Sequence, residues 1–348
     1  MKNLQKYTLH INASVIDALK KLNELTTLQT VFVVDKNNTV VGTITDGDIR
    51  RGLINGLKPE DKLDKYIFKD FKYLVDNQDN FDKLSEFRKK KIKAVPLLDN
   101  QGRLLKIYDF TKIKSILPID AVIMAGGKGI RLRPLTEKTP KPLLKIGNKE
   151  IIAYNFDRLY QYGITNQHIT VNYLANQIET FCNQYSKEID FKIVHEPKPL
   201  GTAGSLSLID NFENDAILLM NSDLLTNLRY EDFYKTFKAE DADMIVASQS
   251  YEINLPYAVF ETENRKIHSF KEKPTYTNYI NAGIYLFKRD LLKLIPKNKV
   301  YNATDFMEAV INAGKKLIHY PIRGYWLDIG QHKDFEKAQK DVSHINWE

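Results

Sequence analysis

The chain has 348 residues, 43% of them hydrophobic and 11% aromatic, and a single cysteine. That is enough apolar side chain for two folded domains, and it excludes an internal disulfide framework or a cysteine-built zinc site. The net charge of +7 sits in one part of the chain, with 22 Lys and Arg against 15 Asp and Glu up to Pro118 and 29 of each beyond it. Such a distribution argues against a nucleic-acid surface.

No apolar run approaches the roughly 20 residues of a membrane span. The start, MKNLQKYTLHINAS, lacks the apolar centre of a signal peptide, so a cytoplasmic protein is expected. The first third contains a repeat. TVFVVDKNNTVVGTITDGDI (Thr30 to Ile49) aligns with AVPLLDNQGRLLKIYDFTKI (Ala94 to Ile113) at a constant offset. Each copy predicts a helix (Val15 to Leu25, or Phe81 to Lys90), a strand, a turn, a second strand and another helix. Neither copy can bury its strand face alone. The two are therefore expected to pack as one module over residues 1–117, with copies of about 1–60 and 61–117. The run Arg88 to Lys93, RKKKIK, supplies much of the charge excess and reads as a solvated helix end. Pro118 marks a short linker.

Both copies resemble CBS domains, which pair into Bateman modules that often bind adenosine nucleotides. In the first copy Gly42, Ile44, Thr45 and Asp48 spell G-x-I-T-x-x-D, and the resemblance implies ribose contacts from Thr45 and Asp48. The second copy has Asp109 and Lys112 at the equivalent places, which implies at most one such site per pair. An allosteric nucleotide sensor and a packing or dimerisation module that binds nothing both remain open.

From Ile119 onward, apolar strands alternate with helical stretches: AVIMAGG, Ile151 to Tyr162, HITVNY, Gln177 to Tyr185, FKIVHEP and AILLMNSD. The alternation predicts an α/β fold over residues 119–348, with a Rossmann-like, mainly parallel sheet covered on both faces. Ligands of such sheets bind beyond the carboxyl ends of the strands. The glycine loop, Asn172, His195 and Asp223 all fall at strand ends.

The segment Val122 to Leu144, VIMAGGKGIRLRPLTEKTPKPLL, carries the chemistry. A buried strand feeds Gly126, Gly127 and Gly129, whose amides can approach phosphate oxygens closely. Arg131 offers a planar fork for phosphate, and Lys141, stiffened between Pro140 and Pro142, a point charge. Leu132 stands where the third glycine of G-x-G-x-x-G would be, which excludes a dinucleotide fingerprint. Gly129 and Ile130 after Lys128 exclude a Walker P-loop.

This string resembles the signature of sugar nucleotidyltransferases, G-G-x-G-T-R-L followed by P-K-P, with Ile130 where the family usually has Thr. The resemblance implies a GT-A-like domain that joins a sugar 1-phosphate to a nucleoside triphosphate. Arg131 and Lys141 would be catalytic, and Ala125, Gly126, Gly127, Lys128 and Gly129 would hold the triphosphate. Gly201, Thr202, Ala203 and Gly204, in a P-L-G-T-A-G loop spelled most like guanylyltransferases, would lie against the base. Asp223 and Asp328 match the family's acids for Mg²⁺ or Mn²⁺. Glu272 and Lys273 of E-K-P would face the sugar and its phosphate, and Asn281 and Gly283 would border the sugar pocket. His195 and His268 are left without a role, because an ionised phosphate needs no base to attack.

The order of CBS pair then transferase resembles bacterial enzymes making GDP-activated amino sugars, including the glucosamine-1-phosphate guanylyltransferases of legionaminic acid synthesis. GTP and glucosamine 1-phosphate are the substrates this implies. A mannose- or heptose-1-phosphate guanylyltransferase, or a uridylyltransferase, is the alternative, and a non-catalytic nucleotide-sensing regulator is the reading from another class. A homo-oligomer is expected, with neither nucleic acid nor membrane as partner.

Overall fold

The computed structural model describes residues 4–26, 28–76, 80–185 and 188–347. Met1 to Asn3, part of the start read for a leader, lie outside them. The chain divides into two compact units, Met1–Ile116 and Leu117–Glu348.

The first unit runs β1 (Thr8–His10), α1 (Val15–Glu24), β2 (Val31–Val34), β3 (Val40–Ile44), α2 (Asp46–Ile54), β4 (Leu74–Val75), α3 (Phe81–Lys89), β5 (Ala94–Leu98) and β6 (Leu104–Asp109). Its strands form two three-stranded sheets, β1-β2-β3 and β4-β5-β6. The repeat extends to detail: Val34 pairs with Val40 and Leu98 with Leu104, and each hairpin carries an irregularity at the same place, Val33/Val34 and Leu97/Leu98. Thr39 of one copy bridges antiparallel to Arg103 of the other. These are equivalent positions of the repeat, so the copies meet about a pseudo-two-fold axis. Phe32, Val34 and Val40 share one buried cluster with Leu98, with Ala94, Leu104 and Ile107 packed against it. The charged run lies exposed from Arg88 to Lys91 at the end of α3.

One expected element is missing. After β6 the chain makes a turn and a loop, not a second helix. Pro118 follows too soon: the residue before a proline is turned away from the helical region, and so short a segment cannot offset the cost of helix nucleation.

The second unit contains β7 (Ile119–Met124), β8 (Lys145–Ile146), β9 (Lys149–Glu150), α4 (Ile151–Gln161), β10 (Asn166–Val171), α5 (Ala175–Gln184), β11 (Asp190–His195), β12 (Ala216–Asn221) and β13 (Leu224–Thr226). There follow α6 (Tyr230–Ala239), β14 (Met244–Asn254), β15 (Val259–Glu263), β16 (Lys266–Lys271), β17 (Thr275–Lys288), α7 (Ala303–Asn312), β18 (Leu317–Pro321), β19 (Trp326–Asp328) and α8 (His332–Asp341). Seven strands make the central sheet in the order β11-β10-β7-β12-β17-β14-β18. All run parallel except β17, which is antiparallel to both its neighbours. The α/β expectation therefore holds.

Strand addition reverses between β7 and β12, the place where open parallel sheets form a ligand crevice. The two strands are buried almost throughout, as their apolar runs require. One core cluster joins Val122, Leu219, Phe287 and Phe306. Another joins Leu132, Ile146, Ile151, Leu225 and Ile329. The second cluster anchors the segment after the glycines and the β13 and β19 acid-bearing region to the same apolar base.

Beyond this sheet β14 and β17 continue as a two-stranded arm, exposed from Tyr251 to Asn254 and from Thr275 to Asn281. The hairpin β15–β16 joins them.

Candidate active site

β7 ends at Met124, and the Ala125 amide still donates to the Thr170 carbonyl on β10 at 2.9 Å. The loop then leaves the sheet. Gly129 has φ +60°. A Cβ there would stand 2.9 Å from Thr136 Cγ2 and 3.1 Å from Lys141 Cβ, so only glycine gives both the left-handed turn and the close packing. The Thr136 hydroxyl fastens the turn by donating to the Gly129 carbonyl at 2.8 Å. Gly127 faces open space. Ile130, in place of the expected Thr, is 62% exposed.

Lys141 emerges from beneath this loop with its side chain largely buried, and its ammonium pairs with Asp223 Oδ2. Asp223 follows the end of β12 after one intervening residue, Ser222, and the β13–β19 ladder sets Leu224 opposite Asp328. The Ile329 amide donates to the Asp223 carbonyl at 3.1 Å. These two acids, 105 residues apart in number, thus share one corner. Burial pushes the Asp328 carboxyl above its ordinary range, and the negative charge of Asp223 pushes it further, while Lys141 and Arg131 pull it back. Arg131 passes beside Gly330, its Nη2 lying 3.5 Å from where a Cβ would be.

Oδ1 of Asp223 and Oδ1 of Asp328 are both buried with no hydrogen-bond partner among the described residues. Buried carboxylate oxygens are costly without a partner. An oxygen-seeking divalent cation would satisfy both, so the pair fits Mg²⁺ or Mn²⁺. The remaining positions around the ion would have to come from phosphate and water, since no group of three His, Cys, Asp or Glu is arranged for a metal among the described residues.

Other expected residues stand differently. Gly283, at φ +72°, lies against Asn221, whose Nδ2 is 2.7 Å from where its Cβ would be. Asn281 Oδ1 accepts from the Gly283 amide at 2.9 Å. These two therefore border the end of β12, at Asn221, two residues before Asp223. Glu272 and Lys273 are exposed in the turn between β16 and β17, with Lys273 at φ +44°. Among the described residues, neither hydrogen-bonds nor ion-pairs with the Asp223 corner.

The P-L-G-T-A-G glycines have a packing duty. A Cβ on Gly201 would sit 2.7 Å from the Tyr301 carbonyl oxygen, and one on Gly204 2.6 Å from that of Lys299. The Ala203 and Gly204 amides both donate to the Tyr301 carbonyl at 2.9 Å, and the Thr202 hydroxyl accepts from the Ala303 amide at 2.8 Å. The loop's glycines thus seat it on the segment entering α7, with those two amides already engaged.

Glu196 is a residue that sequence reading passed over. It follows β11, half-buried, with Oε2 accepting from the Leu200 amide at 3.0 Å and Oε1 3.1 Å from where a Gly126 Cβ would be. Burial raises its pKa, opposed by the Leu200 bond. Its signal was the E-P that opens the base loop. Thr136 and Asn221 gave no comparable signal. His195 and His268 lie on the surface near Glu179 and Glu263, respectively.

In the first unit a cleft of about 420 Å³ is lined by Thr45, Asp48, Arg51, Phe68, Lys72 and Lys93 among others. Thr45 and Asp48 form the capping box of α2: Asp48 Oδ2 accepts from the Thr45 hydroxyl at 2.6 Å and from its amide at 2.9 Å. Asp48 Oδ1 pairs with Arg51 at 2.5 Å. In the second copy Asp109 accepts from the Thr111 amide at 2.9 Å and pairs with Lys112 at 3.6 Å, and no helix follows to present a site.

Residues 120–344 match the family model for nucleotidyl transferases. The chain belongs to that family. Residues 4–55 match the CBS domain model. Among similar curated proteins, mannose-1-phosphate guanyltransferase beta-A of Xenopus laevis is 32% identical over 224 residues, 62% of each chain. The catalytic subunit beta of mannose-1-phosphate guanylyltransferase from Dictyostelium discoideum is 33% identical over 223 residues, again 62% of each. The chain therefore spans under two thirds of the length of these relatives.

Of solved structures, a Bacillus anthracis protein described as a glucose-1-phosphate thymidylyltransferase shares the fold with TM-score 0.54 and 25% identity, over 66% of this chain and 97% of that one. HddC from Yersinia pseudotuberculosis shares it with TM-score 0.51 and 22% identity, over 64% and 99%. No helix among the described residues is long and apolar enough to cross a membrane.

Proposed function

We propose that this chain transfers the GMP unit of GTP to a sugar 1-phosphate, releasing pyrophosphate. The observation that carries the reading is the corner where Asp223 and Asp328 meet Lys141 and Arg131 under the glycine loop. An oxygen of the sugar phosphate forms a bond to the α-phosphorus, and the bond from that phosphorus to the β-phosphate bridging oxygen breaks. Like-charge repulsion is the obstacle, so catalysis is positioning and charge neutralisation. Arg131 holds the leaving phosphates, and Lys141 exchanges its contact with Asp223 for the α-phosphate. The amides around Gly127 and Gly129 cradle the triphosphate. Asp223 and Asp328 would hold the Mg²⁺ or Mn²⁺, which when bound would supply positive charge to the phosphate oxygens.

Guanine as the base is supported by the guanylyltransferase relatives and by Glu196. A carboxylate only accepts, and the guanine edge offers N1–H and the 2-amino group, whereas adenine presents an acceptor at N1. For the acceptor sugar, the relatives favour mannose 1-phosphate. The order of CBS module then transferase favours glucosamine 1-phosphate, as in legionaminic acid synthesis. Glu272 and Lys273 reach the sugar phosphate when the arm settles over it, beside Asn281 and Gly283. In the first unit, an adenosine nucleotide in the Thr45–Asp48 cleft regulates the enzyme.

Pyrophosphate release by the purified chain with GTP and mannose 1-phosphate or glucosamine 1-phosphate tests the reaction. GTP binding without release from any sugar phosphate would contradict it and favour a regulator that only senses nucleotide. Calorimetry of the full chain with AMP, ADP and ATP tests the cleft, and flat traces for all three would remove it as an adenosine nucleotide site.

A further inference from the structure

α4 presents an apolar face to the core, with Ile151, Ile152, Phe156 and Leu159 fully buried. One position on that face breaks the pattern. Asn155 is 1% exposed, and a buried amide among apolar neighbours is costly unless its protons are bound. Both are: Asn155 Nδ2 donates to the Ser222 carbonyl at 3.3 Å and to the Leu224 carbonyl at 3.1 Å. Those carbonyls flank Asp223 on either side. The Asp223 carbonyl itself is held by the Ile329 amide, and the Ser222 amide donates to Met124 at 3.3 Å. The backbone carrying the acid is thereby gripped from α4, from β7 and from the strand bearing Asp328.

We infer that Asn155 is a positioning residue for the cation site, fixing the Asp223 turn so that its unpartnered Oδ1 stays in register with that of Asp328. The inference rests on the reading of the two acids as a metal site. A side chain that touches neither substrate nor ion acts here through geometry, and losing a partner that orients a metal ligand typically costs about 10–100-fold in metal affinity. Helix packing alone would be served by leucine, which is somewhat bulkier but has the same branched skeleton and needs no partners.

The test is Mn²⁺ binding to the full chain without nucleotide, followed by electron paramagnetic resonance, with folded fraction checked by circular dichroism. The chain itself should bind Mn²⁺ and Asp223→Asn should lose that binding; if Asp223→Asn binds equally well, the metal reading fails and this inference with it. Given that control, Asn155→Leu should weaken Mn²⁺ binding at least tenfold, and Asn155→Ser, which keeps one donor, by less. Pyrophosphate release by both variants should recover toward the original rate as metal is raised. Mn²⁺ affinity within twofold of the original in either folded variant would overturn the inference.

Discussion

The two ends of the crevice are built on opposite principles. At the phosphate end, Gly129, Thr136, Lys141, Asp223 and Asp328 interlock through buried contacts, and their backbones are bonded from several elements. At the proposed sugar end, Glu272 and Lys273 ride on an exposed arm whose strands extend beyond the central sheet. The contrast suggests a division of labour. On the proposed reading, the chemistry common to every nucleotidyl transfer is preorganised, where reorganisation would cost most, whereas the substrate-specific contacts come from an exposed element.

Substitutions at the rigid end should therefore strike turnover. Asp223→Asn should reduce pyrophosphate release roughly 10³-fold at limiting metal, since removing one of the two acids proposed to hold the cation removes the charge compensation itself. Unchanged turnover would contradict the metal assignment. Arg131→Ala should cost about 2.7–4 kcal/mol of transition-state stabilisation, as for a lost oxyanion donor, seen as a fall in kcat larger than any rise in KM for GTP. At the exposed end the pattern should invert: Lys273→Ala, if it contacts the sugar phosphate as proposed, loses one charged hydrogen bond, about 1.5–3 kcal/mol, and should raise KM for the sugar phosphate at least tenfold while leaving KM for GTP nearly unchanged.

Two further substitutions separate packing from binding. Gly201→Ala forces a side chain into φ +80° and against the Tyr301 carbonyl. Thermal unfolding should report a loss of about 1–3 kcal/mol, even where KM for GTP is little altered. In the first unit, Thr45→Ala removes a helix cap worth about 1 kcal/mol, and unaltered unfolding would deny the capping box the role its geometry gives it.

Much of the fold was legible because its signals are local. Apolar runs such as Ala216 to Met220, bounded by turn residues, read as buried strands, and the repeat at constant offset returns as two hairpins of matching register, with irregularities that the offset did not reveal. The glycine loop was legible through spelling. What could not be read was set by distance along the chain. Asn155 looked like one polar residue on a helix, and only the return of β12 and β13 past α4 gives it partners 67 and 69 residues away. The absent helix after β6 was misjudged because repeat symmetry outweighed the proline that ends it. The glycines of the base loop were read for a ligand, but their tightest contacts are to the protein's own Lys299–Asn302 segment.

The most direct measurement is pyrophosphate release with Mg²⁺ over a grid of GTP, ATP, UTP, CTP and dTTP against mannose, glucosamine, glucose and heptose 1-phosphates. Release should be fastest with GTP, require the metal, and concentrate in the mannose or glucosamine column. Faster release with another nucleotide would overturn the guanine reading, and no release in any cell of the grid, with or without adenosine nucleotide added, would contradict the enzyme altogether.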